Sequence, residues 1–131
     1  MVGYDIRLTS QDLCNALSRG LTDSGVNVIA IGQCGTEEVY FGTSQLNADG
    51  GIIVTASHNP KDYNGMKLVR ENSKPISGDS GLNIIKQLAE KNEFEETLKK
   101  GEVSAGCIRA AYVDHLLSFI NTETIKPMKI I

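Results

Sequence analysis

Gly51-Ile52-Ile53-Val54-Thr55-Ala56-Ser57-His58-Asn59-Pro60 joins an apolar run to a polar turn that ends on proline. Ile52, Ile53 and Val54 are β-branched, with Gly50-Gly51 before them and Asn59-Pro60 after, the pattern of a short strand buried on both faces. Ser57 then falls just beyond the strand. In open α/β sheets ligands bind in the crevice outside the carboxyl ends of the strands, so a hydroxyl at that place is positioned for chemistry.

The flanks supply the rest of such a sheet. Thr9 or Ser10 can cap a helix with Asp12 in its first turn, and Leu13, Ala16, Leu17 and Leu21 fall on one face before Gly25 stops it. Residues 26–31 are almost continuously apolar and read as a strand covered on both sides, followed by a loop over 32–35. Thr36 can cap a second helix with Glu37 and Glu38 in its first turn and Val39, Tyr40, Thr43 and Leu46 inward. The alternation predicts an α/β fold, a three-layer, mostly parallel sheet with helices on both faces.

Downstream of Ser57, the Asn64-Gly65 pair is expected to take positive φ before a strand over 66–70, and residues 71–74 to reverse the chain. Ser77-Gly78-Asp79 opens a helix whose Leu82, Ile85, Leu88 and Ala89 form a stripe ending near Lys91-Asn92. Residues 93–106 are charged and aperiodic, as in a surface connection. A last helix from about Ile108 carries Ala111, Tyr112, Leu116, Phe119 and Ile120. Residues 1–4 read as the tail of a strand and 125–131 as a linker feeding another, so both ends are expected to be interrupted elements. A bare sheet edge left by residues 1–4 would then promote self-association.

At 131 residues the chain has room for one domain and one core. Its 40% apolar and 22% charged residues exclude a disordered chain. The net charge of −3 leaves no electrostatic footprint for nucleic acid, so an anionic ligand would need local cations. Cys14, Cys34 and Cys107 are odd in number and without paired spacing, which argues for reduced, buried thiols rather than a disulfide framework or zinc site. No basic leader and no apolar run near the ~18 residues of a membrane span is visible, and the expected compartment is the cytoplasm.

A serine hydrolase is disfavoured. Neighbouring side chains of an extended segment diverge, so His58 is not expected to reach the Ser57 proton, and Thr55 and Asn59 stand where a Gly-x-Ser-x-Gly elbow needs glycine. His115 lies among apolar helix neighbours and reads as structural. Phosphate loops of the Gly-x-x-x-x-Gly-Lys and Gly-x-Gly-x-x-Gly types are absent. Phosphoryl transfer through Ser57 fits better, with Lys67 or His58 as cation or proton donor and Arg7 offering a bidentate grip on an oxyanion. The bland alternative makes Ser57 a turn cap, Lys67 a solvated strand residue and Arg7 a partner of Asp5.

Residues 55–60 and 63–67, Thr55-Ala56-Ser57-His58-Asn59-Pro60 and Tyr63-Asn64-Gly65-Met66-Lys67, resemble the phosphoserine signature of the α-D-phosphohexomutases. Gly3-Tyr4-Asp5-Ile6-Arg7, Gly50-Gly51 and Pro75-Ile76-Ser77-Gly78 follow the family's first domain as well, while Gly35-Thr36-Glu37-Glu38 and residues 111–116 are similar to its bacterial phosphomannomutase branch. The resemblance implies that Ser57 carries a phosphoryl group to and from a hexose phosphate through a hexose bisphosphate, its phosphate being one ligand of Mg²⁺. It implies that Thr55, Asn59 and His58 support the serine loop, that Lys67 assists proton transfer or neutralises charge, and that Arg7 gives electrostatic support. Residues 1–120 would be domain I without its initial segment, and 121–131 a linker with the start of domain II. The family's magnesium aspartates, sugar-selecting loop and phosphate-binding loop are not in this sequence, so little or no mutase activity is expected of it alone. Phosphoglucomutase and phosphoglucosamine mutase stay open as relatives, and so does a non-catalytic binding piece.

Overall fold

The β-branched run does form a strand, and its neighbours form a five-stranded sheet in the order β4-β3-β1-β2-β5. A computed structural model of the chain describes residues 1–92, 94 and 97–130. The elements are β1 (Val2–Tyr4), α1 (Ser10–Asp23), β2 (Val28–Gln33), α2 (Thr36–Gln45), β3 (Gly50–Val54), β4 (Met66–Arg70), α3 (Leu82–Lys91), β5 (Val103–Ala105) and α4 (Arg109–Leu117). β1 runs parallel to both β2 and β3, β5 runs parallel to β2, and β4 alone is antiparallel, on β3.

Period-two alternation divides the strands between two apolar layers. Val2 and Val54 join Val28 and Cys14 on one face, where Leu17 and Leu21 of α1 pack. Gly3, Gly51 and Ile53 turn the other way, toward Val39 and Thr43 of α2, both fully buried. α4 rests against α2, with the Phe41 and Tyr112 ring centroids 5.4 Å apart. The sheet is thus sandwiched between helices, as expected of the alternating sequence.

Several boundaries differ, each for a physical reason. β2 begins at Val28 rather than 26 because α1 ends in a Schellman motif: the Val26 N–H reaches Leu21 O at 2.9 Å and the Gly25 N–H reaches Thr22 O at 3.0 Å, with Gly25 at φ +84°. β2 then continues through Gly32, whose φ of +72° accompanies a slip in its pairing with β1. Gly35, not Thr36, caps α2, and Glu38 Oε2 accepts the Gly35 N–H at 2.8 Å. Asn64 and Gly65 do not take positive φ; the left-handed residues of this region are Ser57, Asn72 and Ser73. β5 lies inside the segment read as a connection, of which Glu93, Glu95 and Glu96 are outside the described residues, as is Ile131 at the end of the expected linker. The α3 stripe faces outward, with Leu82, Ile85 and Leu88 each at least 40% exposed. Cys107 is exposed rather than buried, although all three thiols are free; burial, and then the Glu38 carboxylate, push the Cys34 thiol up to about 11.

Residues 1–4 do not leave a bare edge. β1 is the middle strand, paired on both sides, and the Met1 ammonium donates to Gly50 O at 2.8 Å. The edges of the sheet are instead β4 and β5. Among the described residues no helix is long and apolar enough to cross a membrane.

The closest approach of helix to sheet is at Gly51. A Cβ there would overlap the Thr43 hydroxyl and stand 3.1 Å from methyls of Val39 and Val69. Thr43 cannot swing away cheaply, because its hydroxyl donates to Val39 O at 2.7 Å and the residue is wholly buried. Gly51→Ala is expected to destabilise the chain by about 1–3 kcal/mol, read as a lowered midpoint in urea unfolding.

Candidate functional site

The strand order makes β1 the point where the chain reverses direction across the sheet: β2 is laid on one side of it and β3 on the other. The loop leaving β1 leads to α1 and the loop leaving β3 leads to β4, and both begin at the same end of the sheet. Asp5 and Arg7 follow β1, and Thr55 and Ser57 follow β3. The Asp5 N–H still bonds Val54 O at 3.1 Å, which sets the two loops side by side.

Ser57 is exposed in the loop after β3 and takes φ +53°, in the left-handed region. For a residue with a Cβ that conformation costs about 1–2 kcal/mol, so the surroundings must hold it. They grip both of its peptide groups. The Ser57 N–H donates to Thr55 Oγ1 at 2.9 Å, and the Ser57 carbonyl accepts from Arg7 Nη2 at 2.7 Å.

Arg7 does more than pair with Asp5. Nη2 also donates to Asn59 O at 2.6 Å, Nη1 donates to Tyr63 O at 3.1 Å and to Pro60 O, and Nε lies 3.2 Å from Asp5 Oδ2. Four guanidinium N–H groups are thereby committed to the chain itself, the charge is met by Asp5, and only 9% of the side chain is exposed. In this structure those donors serve the serine loop rather than an oxyanion. Asn59 tightens the same turn, its Nδ2 donating to Ala56 O at 2.9 Å.

The left-handed backbone also corrects the expectation for His58. An extended segment would separate the two side chains, but the turn at Ser57 brings Ser57 Oγ to 3.1 Å from His58 Nδ1. Lys67 is exposed at the start of β4, opposite Ile53, and makes no ion pair among the described residues. His115 packs elsewhere, stacked on Phe41 at 5.0 Å and edge-on to Phe119 at 4.8 Å.

Three residues of the site were not singled out in the sequence. Asp5 accepts from the Thr55 hydroxyl at 2.7 Å, from the Ser10 hydroxyl at 2.6 Å and from the Arg7 N–H at 3.0 Å. Ser10, read as a helix cap, is instead fully buried beneath that carboxylate. Asn64, read as half of a turn pair, donates from Nδ2 to Ser10 Oγ at 2.9 Å and to Thr9 Oγ1 at 3.0 Å, pinning the far end of the serine loop to α1. Burial pushes the Asp5 carboxyl up, but the bonds from Ser10, Thr55 and the Arg7 amide, with the Arg7 charge, outweigh it and hold the carboxyl below its ordinary 3.8.

The family profile described as "Phosphoglucomutase/phosphomannomutase, alpha/beta/alpha domain I" matches residues 1–96. The chain belongs to the phosphoglucomutase/phosphomannomutase family. It is 60% identical to a phosphomannomutase of Vibrio cholerae and 54% identical to one of Escherichia coli K12, in each case over its whole length. A crystal structure of a phosphoglucomutase/phosphomannomutase family protein from Burkholderia thailandensis superimposes on 89% of the chain with a TM-score of 0.74 at 31% identity, covering 27% of that protein. The chain spans 28% of the length of the Vibrio relative and 29% of the Escherichia one. The match to the domain I profile includes every member of the network around Ser57.

Two outcomes test this network in the domain. Arg7→Lys keeps the charge but supplies three donors in place of five, and limited proteolysis is expected to cut within 56–63 faster while the helical circular dichroism holds. A carboxyl with a depressed folded pKa contributes stability that is complete above its unfolded value and lost as pH falls through the folded one. Asp5→Asn is therefore expected to be less stable than wild type at pH 7, with the gap closing below pH 3.8 in acid-unfolding curves. The groups that face Asp5 are the Arg7 guanidinium and the non-titrating Ser10 and Thr55, so the difference belongs to Asp5 itself.

Proposed function

We propose that Ser57 is the phosphoryl carrier of a hexose phosphate mutase, and that the protein containing this chain interconverts mannose 6-phosphate and mannose 1-phosphate through a hexose bisphosphate. The observation that supports it most is the exposure of Ser57 just past the carboxyl end of β3, with its hydroxyl 3.1 Å from an imidazole nitrogen and its backbone fixed on both sides. A serine that merely capped a turn would need neither.

In the step that loads the enzyme, Ser57 Oγ attacks a phosphorus of the hexose bisphosphate. The new bond is Oγ–P and the bond broken is P–O to the sugar. His58 Nδ1, unprotonated in the tautomer that carries its hydrogen on Nε2, takes the Ser57 proton. The Lys67 ammonium, at the same end of the sheet, protonates the departing sugar oxygen or offsets its charge. In the reverse step the phosphoserine passes its phosphate to the other hydroxyl of a hexose monophosphate, and the protons retrace their path. Arg7 and Asn59 hold the loop, and Thr55 ties it to the end of β1.

Mg²⁺ in this reading is a resident of the longer protein. Among the described residues no group of three or more His, Cys, Asp or Glu is placed to hold a cation, and the Asp5 carboxylate is spent on Arg7, Ser10 and Thr55. A phosphate on Ser57 would supply one oxygen ligand where octahedral magnesium takes six. The donor set here does not complete a site, so no step is routed through the metal and the isolated chain is expected to turn over little or no sugar phosphate. Residues 1–120 are proposed as domain I and 121–131 as the passage to the next domain, with the cytoplasm as the compartment.

Intact-mass measurement after incubation with glucose 1,6-bisphosphate tests the carrier role. Wild-type chain is expected to gain one phosphate-sized increment that Ser57→Ala lacks; a chain that stays unmodified counts for the non-catalytic alternative.

A further inference from the structure

The bonds that fix Ser57 converge on a single group. Thr55 Oγ1 accepts the Ser57 N–H and passes its own proton to Asp5 Oδ2, while Arg7, which holds the Ser57 carbonyl, sets its Nε 3.2 Å from the same oxygen. The other oxygen, Oδ1, takes the Ser10 hydroxyl, and through it Asn64 and the far end of the loop. The peptide before Ser57 and the peptide after it are thus each one side chain away from the Asp5 carboxylate, which is delivered by the middle strand of the sheet.

We infer that Asp5 is a positioning residue for phosphoryl transfer: through Thr55 on one side and Arg7 on the other it sets the left-handed backbone that holds Ser57 Oγ at the surface and beside His58 Nδ1. Asp5 touches neither phosphate nor sugar. Its work is to give two donors of different kinds, a hydroxyl and a guanidinium, one shared acceptor, so that neither can shift without the other. A neutral amide at this place has one oxygen to offer rather than two and no charge for Arg7 to meet. This deepens the carrier reading of Ser57 and rests on it for the chemical consequence, but not for the structural one.

The test has two readouts on the same chain. Hydrogen exchange followed by NMR reports the Ser57 amide, and intact mass reports the rate of phosphorylation from glucose 1,6-bisphosphate. In Asp5→Asn the Ser57 amide is expected to exchange roughly 10- to 100-fold faster, with phosphorylation slowed by a similar factor, while the amide of Ile53 in β3 loses no more protection than the fall in global stability measured by urea unfolding accounts for. Thr55→Val, which removes the relaying hydroxyl at constant shape, should reproduce the effect, Thr55→Ser should restore it, and Asp5→Asn with Thr55→Val together should be no worse than the stronger single change. Unchanged exchange at Ser57 in Asp5→Asn, a rise there no larger than the fall in global stability accounts for, or additive effects of the two substitutions would overturn the inference. If Asp5→Asn fails to fold, the contrast of Thr55→Val with Thr55→Ser decides it: equal behaviour of the two sinks the relay. A wild-type chain that takes no phosphate brings down the carrier reading alone, because the exchange measurements still judge Asp5.

Discussion

Four N–H groups of one guanidinium, bonded to four carbonyls of a single loop while one carboxylate meets its charge, are what the geometry around Ser57 depends on. A hydrogen bond to a charged group is worth about 1.5–3 kcal/mol net, whereas a left-handed serine costs about 1–2 kcal/mol. Even one such bond offsets the strain at Ser57, and the others hold the rest of the turn. Backbone strain persists only where the surroundings over-determine it, and here they do so from both peptide planes. The arginine is near-buried with its charge met by Asp5 and by carbonyl dipoles, the condition under which a desolvated cation is tolerable.

That clamp is possible because of how the sheet is wound. Arg7 and Ser57 are fifty residues apart, yet β1 and β3 lie side by side in register, Val2 with Ile52 and Tyr4 with Val54, so the loops that follow them begin at one level. α2 sits close on β3 beside this register, an approach that a side chain at Gly51 would prevent.

Much of this was legible in the sequence, and the losses follow a pattern. Strands with β-branched runs and helices with apolar spacing announced themselves; β5, with only Val103 as a strong strand former, did not, because its pairing with β2 is made by backbone atoms. The family was legible from Thr55-Ala56-Ser57-His58-Asn59-Pro60 and its companions, since that string has little reason to recur by packing alone. Side-chain partners were not. Asp5, Ser10 and Asn64 each have a common local use, as turn former, helix cap and turn pair, and local uses are all that spacing can weigh. Their actual bonds reach across about fifty residues, from β1 and α1 to the loop after β3.

The relation between Ser57 and His58 shows why such sites defeat reasoning by periodicity. Alternation of side chains holds for extended backbone, and at φ +53° it does not apply: one left-handed residue turns neighbours that should diverge into a pair 3.1 Å apart. The residues that create this turn lie in another strand's loop, so the local sequence contains the serine and the imidazole but not the reason they meet. That reason is carried by Arg7, which bonds the loop backbone, and by Asp5, which meets Arg7 and the Thr55 hydroxyl, so the reactive side chains stay exposed. A loop built this way can keep its hydroxyl oriented whether or not a phosphate sits on it, because none of the backbone bonds that hold its shape uses Ser57 Oγ.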